Sequence, residues 1–390
     1  MRSSRVSIVT ALGATQTLAW GSSYYLPAIL GAPIAAALRL PTSLFFGIFS
    51  MALLLSAAAG PSVGKIIDRH GGRGVLAGSN LVLAVGLVLL ARAQGIAGLL
   101  AAWIVLAAGI ATGLYDPAFA TLTRLYGREA RNPITGITLI AGFASTIGWP
   151  LSAFMLQRYG WREACLAWAA LNLFVCLPVN LLFIPQVAPQ LPTLSDAAGD
   201  NGEAPPRGAM PVLAFFFSAA WFVTGAMAAH LPRLLAAAGA TPTEAVAAAA
   251  LVGPAQVAAR LVEFGLLRRL HPLISARVAS VMHPLGTLVL GIFGPFGIAA
   301  FALLHGAGNG MITIAKGTLP LAIFGPHGFG LRSGLLSAPA RITQSAAPFL
   351  FGLLLDNLGA RAAAVSAAIM LAAFASLFAL RSRQTMAAPI

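Results

Sequence analysis

The amino-acid sequence predicts an all-α polytopic membrane protein, with twelve transmembrane helices in two pseudo-symmetric six-helix bundles. Three observations carry that expectation. Of 390 residues, 58% are hydrophobic and only 9% are charged, whereas a soluble domain carries roughly 25% charged residues. So little charge cannot cover a water-facing surface of this size. Apolar runs close to the ~20 residues that a bilayer core demands fill nearly the whole chain. The 24 basic residues alternate with those runs and form no patch, so the net charge of +14 follows the membrane and implies no nucleic acid partner. The same composition excludes disordered, collagen-like and disulfide-rich architectures.

The runs fall near 7–31, 42–62, 75–93, 96–119, 134–156, 162–184, 211–236, 242–264, 276–292, 295–317, 333–355 and 360–380, numbered here as spans 1 to 12. Arg2 and Arg5 before span 1 imitate a secretory signal, but no short apolar region with a cleavage site follows, so the run is expected to remain as the first helix. Lys65, Arg69 and Arg73 separate spans 2 and 3; Arg124, Arg128 and Arg131 separate spans 4 and 5; Arg268 and Arg269 separate spans 8 and 9. With the amino terminus in the cytoplasm, six basic residues (Arg39, Arg92, Arg158, Arg162, Arg233 and Arg361) lie outside. Arg260 and Arg341 lie within helices, and the remaining sixteen are cytoplasmic. That asymmetry is the positive-inside pattern and predicts both termini in the cytoplasm. Residues 185–210 hold three of the ten acids with a dense set of Pro, Gly and Ser, the composition of a flexible linker. The expected domains are therefore 1–184, the cytoplasmic linker 185–210, and 211–390. Cys165 and Cys176 share span 6, three turns apart, too far to bridge.

The halves repeat at an offset close to 200 residues. Gly160-Trp161-Arg162 before span 6 matches Gly359-Ala360-Arg361 before span 12. Gly109 and Gly113 in span 4 match Gly306 and Gly310 in span 10, each pair allowing another helix backbone to come close. Leu26-Pro27 near the end of span 1 matches Leu231-Pro232 near the end of span 7. Parallel repeats of this kind belong to transporters that rock two halves about a site at the midplane.

The segment after span 2, Gly64-Lys-Ile-Ile-Asp68-Arg69-His-Gly71-Gly72-Arg73, resembles the G-x-x-x-D-[RK]-x-G-x-[RK] loop of the major facilitator superfamily. The resemblance implies that Gly64, Asp68, Arg69, Gly71 and Arg73 latch a cytoplasmic gate, with Asp68 near the positive end of span 11. The second-half copy, Gly265-Leu-Leu-Arg268-Arg269, lacks the acid. Trp20-Gly-Ser-Ser-Tyr24, Tyr115-Asp-Pro117-Ala-Phe119 through Arg124-Leu-Tyr126, and the Gly160-Trp161-Arg162 turn are similar to the oxalate/formate antiporter and monocarboxylate transporter branch. That branch places basic residues in spans 8 and 11, the helices of Arg260 and Arg341. Span 5, with Gly142-Phe-Ala-Ser-Thr-Ile-Gly148-Trp-Pro150, loosely resembles the Gly/Pro-rich motif of efflux antiporters.

No enzyme is expected. Gly60-Pro-Ser62-Val-Gly64 fits G-x-S-x-G, but it ends a membrane helix where a hydrolase needs a strand-to-helix elbow. The chain holds no H-E-x-x-H, no P-loop and no Cys/His cluster at metal spacing, so neither a cofactor nor a metal is expected, and transport must be driven by a gradient.

Polar groups inside spans are costly and are therefore site candidates. The family resemblance implies that spans 1, 4, 7 and 10 line the cavity while 2, 5, 8 and 11 form the gates. The expected substrate contacts are Gln16, Trp20, Tyr24, Tyr115, Trp221, Gln256, Arg260, His305, Asn309 and Arg341. Asp116 and His305 are the expected proton sites, since a desolvated carboxyl and an imidazole can both exchange a proton near neutrality. Each has a structural alternative: Asp116 can pair with an arginine such as Arg341, Arg260 with Glu263 three residues on, and His305 can hydrogen-bond within the bundle. His283 before Pro284 is expected to mark a kink, and Lys316 to snorkel toward the cytoplasmic face. The expected function is a secondary carrier of a small organic anion or related solute, proton-coupled, in a cell inner membrane and working as a monomer among membrane lipid. Proton-driven efflux of metalloid or drug-like compounds is the alternative. A non-transporting receptor or lipid-handling protein is the alternative of another class.

Overall fold

A computed structural model describes residues 4–186, 208–265, 271–324 and 329–380. Among the described residues every element is helical, as the bilayer requires: hydrocarbon offers no hydrogen-bond partner, so each backbone amide must be satisfied within its own span. Nine stretches are long and apolar enough to cross a membrane, and two of these are 45 residues long and hold two helices each. With the first span, whose opening helix of 18 residues is long enough but less apolar, the described residues hold twelve. The linker 185–210 lies almost wholly outside the described residues.

Span 1 is two helices, Arg5–Ser22 and Pro27–Ala37. Ser4 caps the first by accepting the Ser7 amide at 3.1 Å. The expected match of Leu26-Pro27 with Leu231-Pro232 does not hold in structure. Pro27 opens the second segment of span 1, whereas Pro232 sits inside the unbroken span 7, Ala209–Ala237. Span 4 breaks between Gly95–Gly113 and Tyr115–Tyr126, and span 5 between Arg131–Ala141 and Ala144–Tyr159. Span 8 breaks between Pro242–Ala250 and Val252–Gly265. Span 9, Pro272–Phe293, continues through Pro284 without a break in the helix, and the His283 ring is held by side-chain bonds to His305 and Ser366. Spans 10, 11 and 12 are Ile298–Phe324, Phe329–Leu358 and Ala362–Ser376.

The segment expected as a loop after span 2 is mostly helix. Span 2 runs Thr42–His70, Gly71 turns the chain at φ 83°, and span 3, Gly72–Arg92, begins at once. A single residue makes the turn because glycine accepts positive φ without a Cβ clash. Arg69 is exposed and Arg73 half-buried; the side chain of Asp68 and residues 325–328 at the start of span 11 lie outside the described residues, as do Arg268 and Arg269. At Gly64, the first glycine of that motif, no atom lies within 4 Å of where a Cβ would be.

Inside the first half, buried amides replace a purely apolar core. Thr15 donates to Asn180 (3.1 Å), Asn180 to Asn80 (2.8 Å) and Asn172 to Ser22 (3.0 Å), tying span 1 to spans 3 and 6 (Trp161–Leu171, a π-turn Asn172–Cys176, Leu177–Phe183). Low dielectric strengthens such a chain once every member has a partner. The glycine pairs do not play equivalent parts. Gly109 and Gly113 face Leu83 and Ser79 of span 3, while Gly306 and Gly310 lie against the backbone of span 8 at Val252 and Gln256. The two pairs thus lie on different faces, although span 10 packs against spans 8 and 9 as span 4 packs against spans 2 and 3.

The halves meet at the end of the bundle opposite the linker, the far end. Ser50 of span 2 accepts the Phe349 amide of span 11 at 3.1 Å. The Phe46 ring lies 4.0 Å from the His230 ring of span 7. Thr146 of span 5 donates to the Ala250 carbonyl at 2.8 Å, an oxygen left without its helical partner because Pro254 has no N–H. At the linker end Ser62, Lys65 and Ile66 of span 2 are exposed.

A Cβ on Gly310 would stand 2.5 Å from the Gln256 carbonyl oxygen, so Gly310→Ala is expected to destabilise by the ~1–3 kcal/mol typical of overpacking. Gly64→Ala meets nothing and is expected to be neutral or to gain up to about 1 kcal/mol of helix propensity. Thermal unfolding in detergent, followed by tryptophan fluorescence, compares the two.

Candidate functional site

Between the far-end contacts and the linker end lies a cavity of about 300 Å³ lined from both halves. The breaks in spans 1, 4, 5 and 8 shape it. Past Ser22 the chain turns, and Trp20, Tyr24 and Tyr25 gather with Tyr115: the Trp20 ring is 5.0 Å from Tyr24 and 4.9 Å from Tyr115. Tyr115 stacks on Phe119 at 5.2 Å. Trp221 supplies the aromatic face opposite, from span 7.

The ionic groups come chiefly from the second half. Arg260 is 8% exposed and reaches across to the first half. Its Nη1 donates to the Thr138 carbonyl of span 5 at 2.8 Å, and its Nη2 to Gln256 Oε1 at 3.4 Å. Its Nε has no hydrogen-bond partner. The alternative in which Arg260 pairs with Glu263 is not what the structure has. Thr138 lies one turn before the break in span 5 and offers its oxygen to the guanidinium, while Glu263 turns toward Ser275 of span 9. Among the described residues Arg260 has no carboxylate partner. Arg341 of span 11 forms an ion pair with Asp116 of span 4, joining the halves. Lys316 does not snorkel away from the cavity. It lines the wall, its ammonium 5.2 Å from the centre of the Trp221 ring, because the indole face attracts a cation that the bilayer would not solvate.

The roof is a polar seam. Gln344 Nε2 donates to the Tyr24 hydroxyl at 3.0 Å, across the two halves, and Thr224 donates to Asn309 at 2.9 Å within the second.

Of the expected contacts, Trp20, Tyr24, Tyr115, Asp116, Trp221, Gln256, Arg260, Asn309 and Arg341 line this cavity, and Gln16 and His305 do not. Gln16 donates to the Gly113 carbonyl at 2.6 Å, an oxygen freed by Pro117 four residues on; its amide repairs the break in span 4. His305 lies one turn farther toward the far end, its Nδ1 3.1 Å from His283 Nδ1, while His283 Nε2 meets Ser366 at 2.9 Å. Sequence reasoning missed Tyr25, Thr138 and Gln344. Gln344 follows Arg341 by three residues on one helix face and, as a polar group inside a span, met the same criterion; Tyr25 faces inward only because span 1 breaks, and Thr138 acts through its backbone.

A charged, aromatic-walled chamber lies between two six-helix halves, the arrangement of a membrane transport protein. The chain belongs to the Major Facilitator Superfamily, which it matches over residues 11–301. It is 29% identical over 252 residues to the Multidrug resistance protein B homolog of Mycobacterium tuberculosis, a match covering 63% of this chain and 43% of that protein. The chain thus spans less than half the length of that relative. An uncharacterized 38 kDa protein of Thermoproteus tenax is 33% identical over 135 residues, 34% of this chain and 35% of that one. Among solved structures, the nucleoside transporter NupG superposes with a TM-score of 0.74 at 12% identity, covering 96% of this chain and 99% of that one. A bacterial homolog of the human lysosomal transporter Spinster, inward-facing and occupied, gives 0.69 at 16% identity and 96% of each chain. The human organic anion transporter MFSD10 gives 0.67 at 17% identity, 96% and 99%. At these identities the likeness is one of fold.

The Asp116 side chain is 59% exposed and that of Arg341 34%, so water in the cavity screens the pair. A double-mutant cycle of Arg341→Gln and Asp116→Asn on thermal stability is expected to give a coupling of only about 0.2–1 kcal/mol, falling with salt. A coupling several times larger would mark a locked structural pair.

Proposed function

We propose that this chain is a secondary carrier that moves a small organic anion across a cell inner membrane by alternating access, with a proton as the coupling ion. Both termini lie in the cytoplasm in this reading, the far end faces outward, and one chain is the working unit because both halves of the cavity come from it. One observation carries the proposal: among the described residues, Arg260, Lys316 and Arg341 line the cavity against a single carboxylate, Asp116. Unmatched cations at membrane depth are unstable unless a counter-charge arrives. A guanidinium with an unused N–H, already held in place by Thr138 and Gln256, presents a fixed fork for a carboxylate. The resemblance of the first half to carboxylate carriers supports the same reading.

Asp116 supplies the coupling. Ionised, it holds Arg341 across the halves; protonated, it releases that arginine to a substrate anion. Proton and anion therefore favour each other's binding, and a weak, screened pair suits a contact that must open once per cycle. Gly64, Asp68, Arg69, Gly71 and Arg73 remain the proposed latch at the cytoplasmic end, and His305 a second proton group reached through His283.

The aromatic wall of Trp20, Tyr24, Tyr25, Tyr115, Phe119 and Trp221, together with the relative named a multidrug resistance protein, favours a second reading, export of drug-like compounds in exchange for protons.

Flux into proteoliposomes separates the two. A hydrogen bond to a charged group contributes about 1.5–3 kcal/mol, so Arg260→Gln is expected to weaken carboxylate uptake at least about tenfold, and Asp116→Asn to make uptake independent of the proton gradient. Transport confined to lipophilic cations, unchanged in Arg260→Gln, would replace the anion reading with the export reading.

A further inference from the structure

His230 is the one ionisable side chain placed in the far-end contact between the halves among the described residues, and the proposed cycle above does not use it. It sits on span 7 and is fully buried. Its Nε2 lies 2.7 Å from the Pro348 carbonyl of span 11, and because a carbonyl only accepts, this nitrogen carries the proton. The other nitrogen, Nδ1, is buried and has no partner. Phe46 of span 2, from the opposite half, closes over the ring at 4.0 Å, and Phe351 flanks it at 6.1 Å. Gly352 leaves just the room the ring needs: a Cβ there would stand 3.3 Å from its Cε1 and Nε2.

We propose that His230 is a proton-binding site that controls the far-end gate: the closed contact accepts only the neutral ring, and proton uptake at Nδ1 drives the halves apart there. In the closed state a proton on Nδ1 would have no acceptor and no water. The charged groups acting on the ring are Arg233, one turn along span 7, and Asp356 of span 11. These two are committed to each other at 2.7 Å, so Asp356 is not free to neutralise an imidazolium. The other neighbours offer nothing: residues 27–64 of spans 1 and 2 contain only Arg39 as an ionisable group, and it is exposed, as are Glu244 and Arg361 on the adjoining turns. The Phe46 face attracts a cation, but this replaces only part of the hydration lost on enclosure. Separation of Phe46 from His230 lets water reach Nδ1. The open state thus has the higher proton affinity, and by linkage acid populates it, up to about tenfold for each unit by which the two affinities differ. His230 lies toward the far end and Asp116 on the other side of the cavity roof, toward the linker end.

The inference does not depend on the substrate's identity, and its test needs no substrate. Spin labels at Ala37→Cys and Ala237→Cys, exposed positions on the far-end tips of the two halves, report the gate by double electron–electron resonance; Cys165 and Cys176 are buried. From about pH 8 to about pH 5, the range in which imidazole titrates, a long-distance population is expected to grow. His230→Gln keeps a donor for the Pro348 carbonyl but cannot titrate, and is expected to hold the short distance at both ends of the range while the protein stays monodisperse. His230→Phe serves as a second non-titrating variant should the glutamine fail to fold. An Asp116→Asn background should retain the shift. The same pH response in both His230 variants, its loss in Asp116→Asn alone, or a wild-type distance that ignores pH would each overturn the proposal.

Discussion

A bilayer core solvates neither a free backbone amide nor an ionic side chain, and every feature of this molecule answers that constraint. It leaves helices as the only open-ended way to cross, and it admits charge only where protein or trapped water takes the place of solvent. With ten acids against 24 basic residues, most cations have no carboxylate to meet. Among the described residues Arg260, Lys316 and Arg341 line the same chamber, each with a different substitute for water: a backbone carbonyl, an indole face and the carboxylate of Asp116.

Helix breaks make those substitutes possible. Each proline or glycine that interrupts a span frees a carbonyl oxygen, and at membrane depth that oxygen needs a donor. Gln16 answers Gly113 within the first half, and Thr146 answers Ala250 between halves. Arg260 is a second donor to the Thr138 carbonyl, which the Gly142 amide already meets at 3.0 Å. The interruptions at Pro117 and Pro254 therefore supply cross-links between spans, and the second of them joins one half to the other. A seam built from single hydrogen bonds to backbone, worth about 1 kcal/mol each, can part and re-form without disturbing the core of either half.

The fold was legible in the residues because span length and charge alternation are one-dimensional signals. Most of the cavity was legible too, since Trp20, Tyr24, Asn309 and Arg341 lie on polar stripes of otherwise apolar helices. What escaped depended on rotation and on breaks. Gln16 shares a stripe with Trp20 but is used one turn before the cavity begins, to repair span 4. Lys316 looked like an interfacial lysine until Trp221, 95 positions earlier in the chain, was found to face it. The glycine pairs of spans 4 and 10 match in sequence, yet face different neighbours, because a glycine marks where a backbone can approach without naming the helix that does. His230 was a candidate only in the general sense that any ionisable group inside a span is one; the opposing Phe46 gives it a place at the gate.

The central claim is that the cationic excess of the cavity is an anion-binding site. Thermal stability of the purified chain, measured with small carboxylates, neutral solutes and lipophilic cations, tests it most directly, because a ligand that binds only the folded state stabilises it by about 2.7 kcal/mol at a hundredfold excess over Kd. The account predicts a raised midpoint with carboxylates, lost in Arg260→Gln. A midpoint raised by lipophilic cations and untouched by every carboxylate would contradict it.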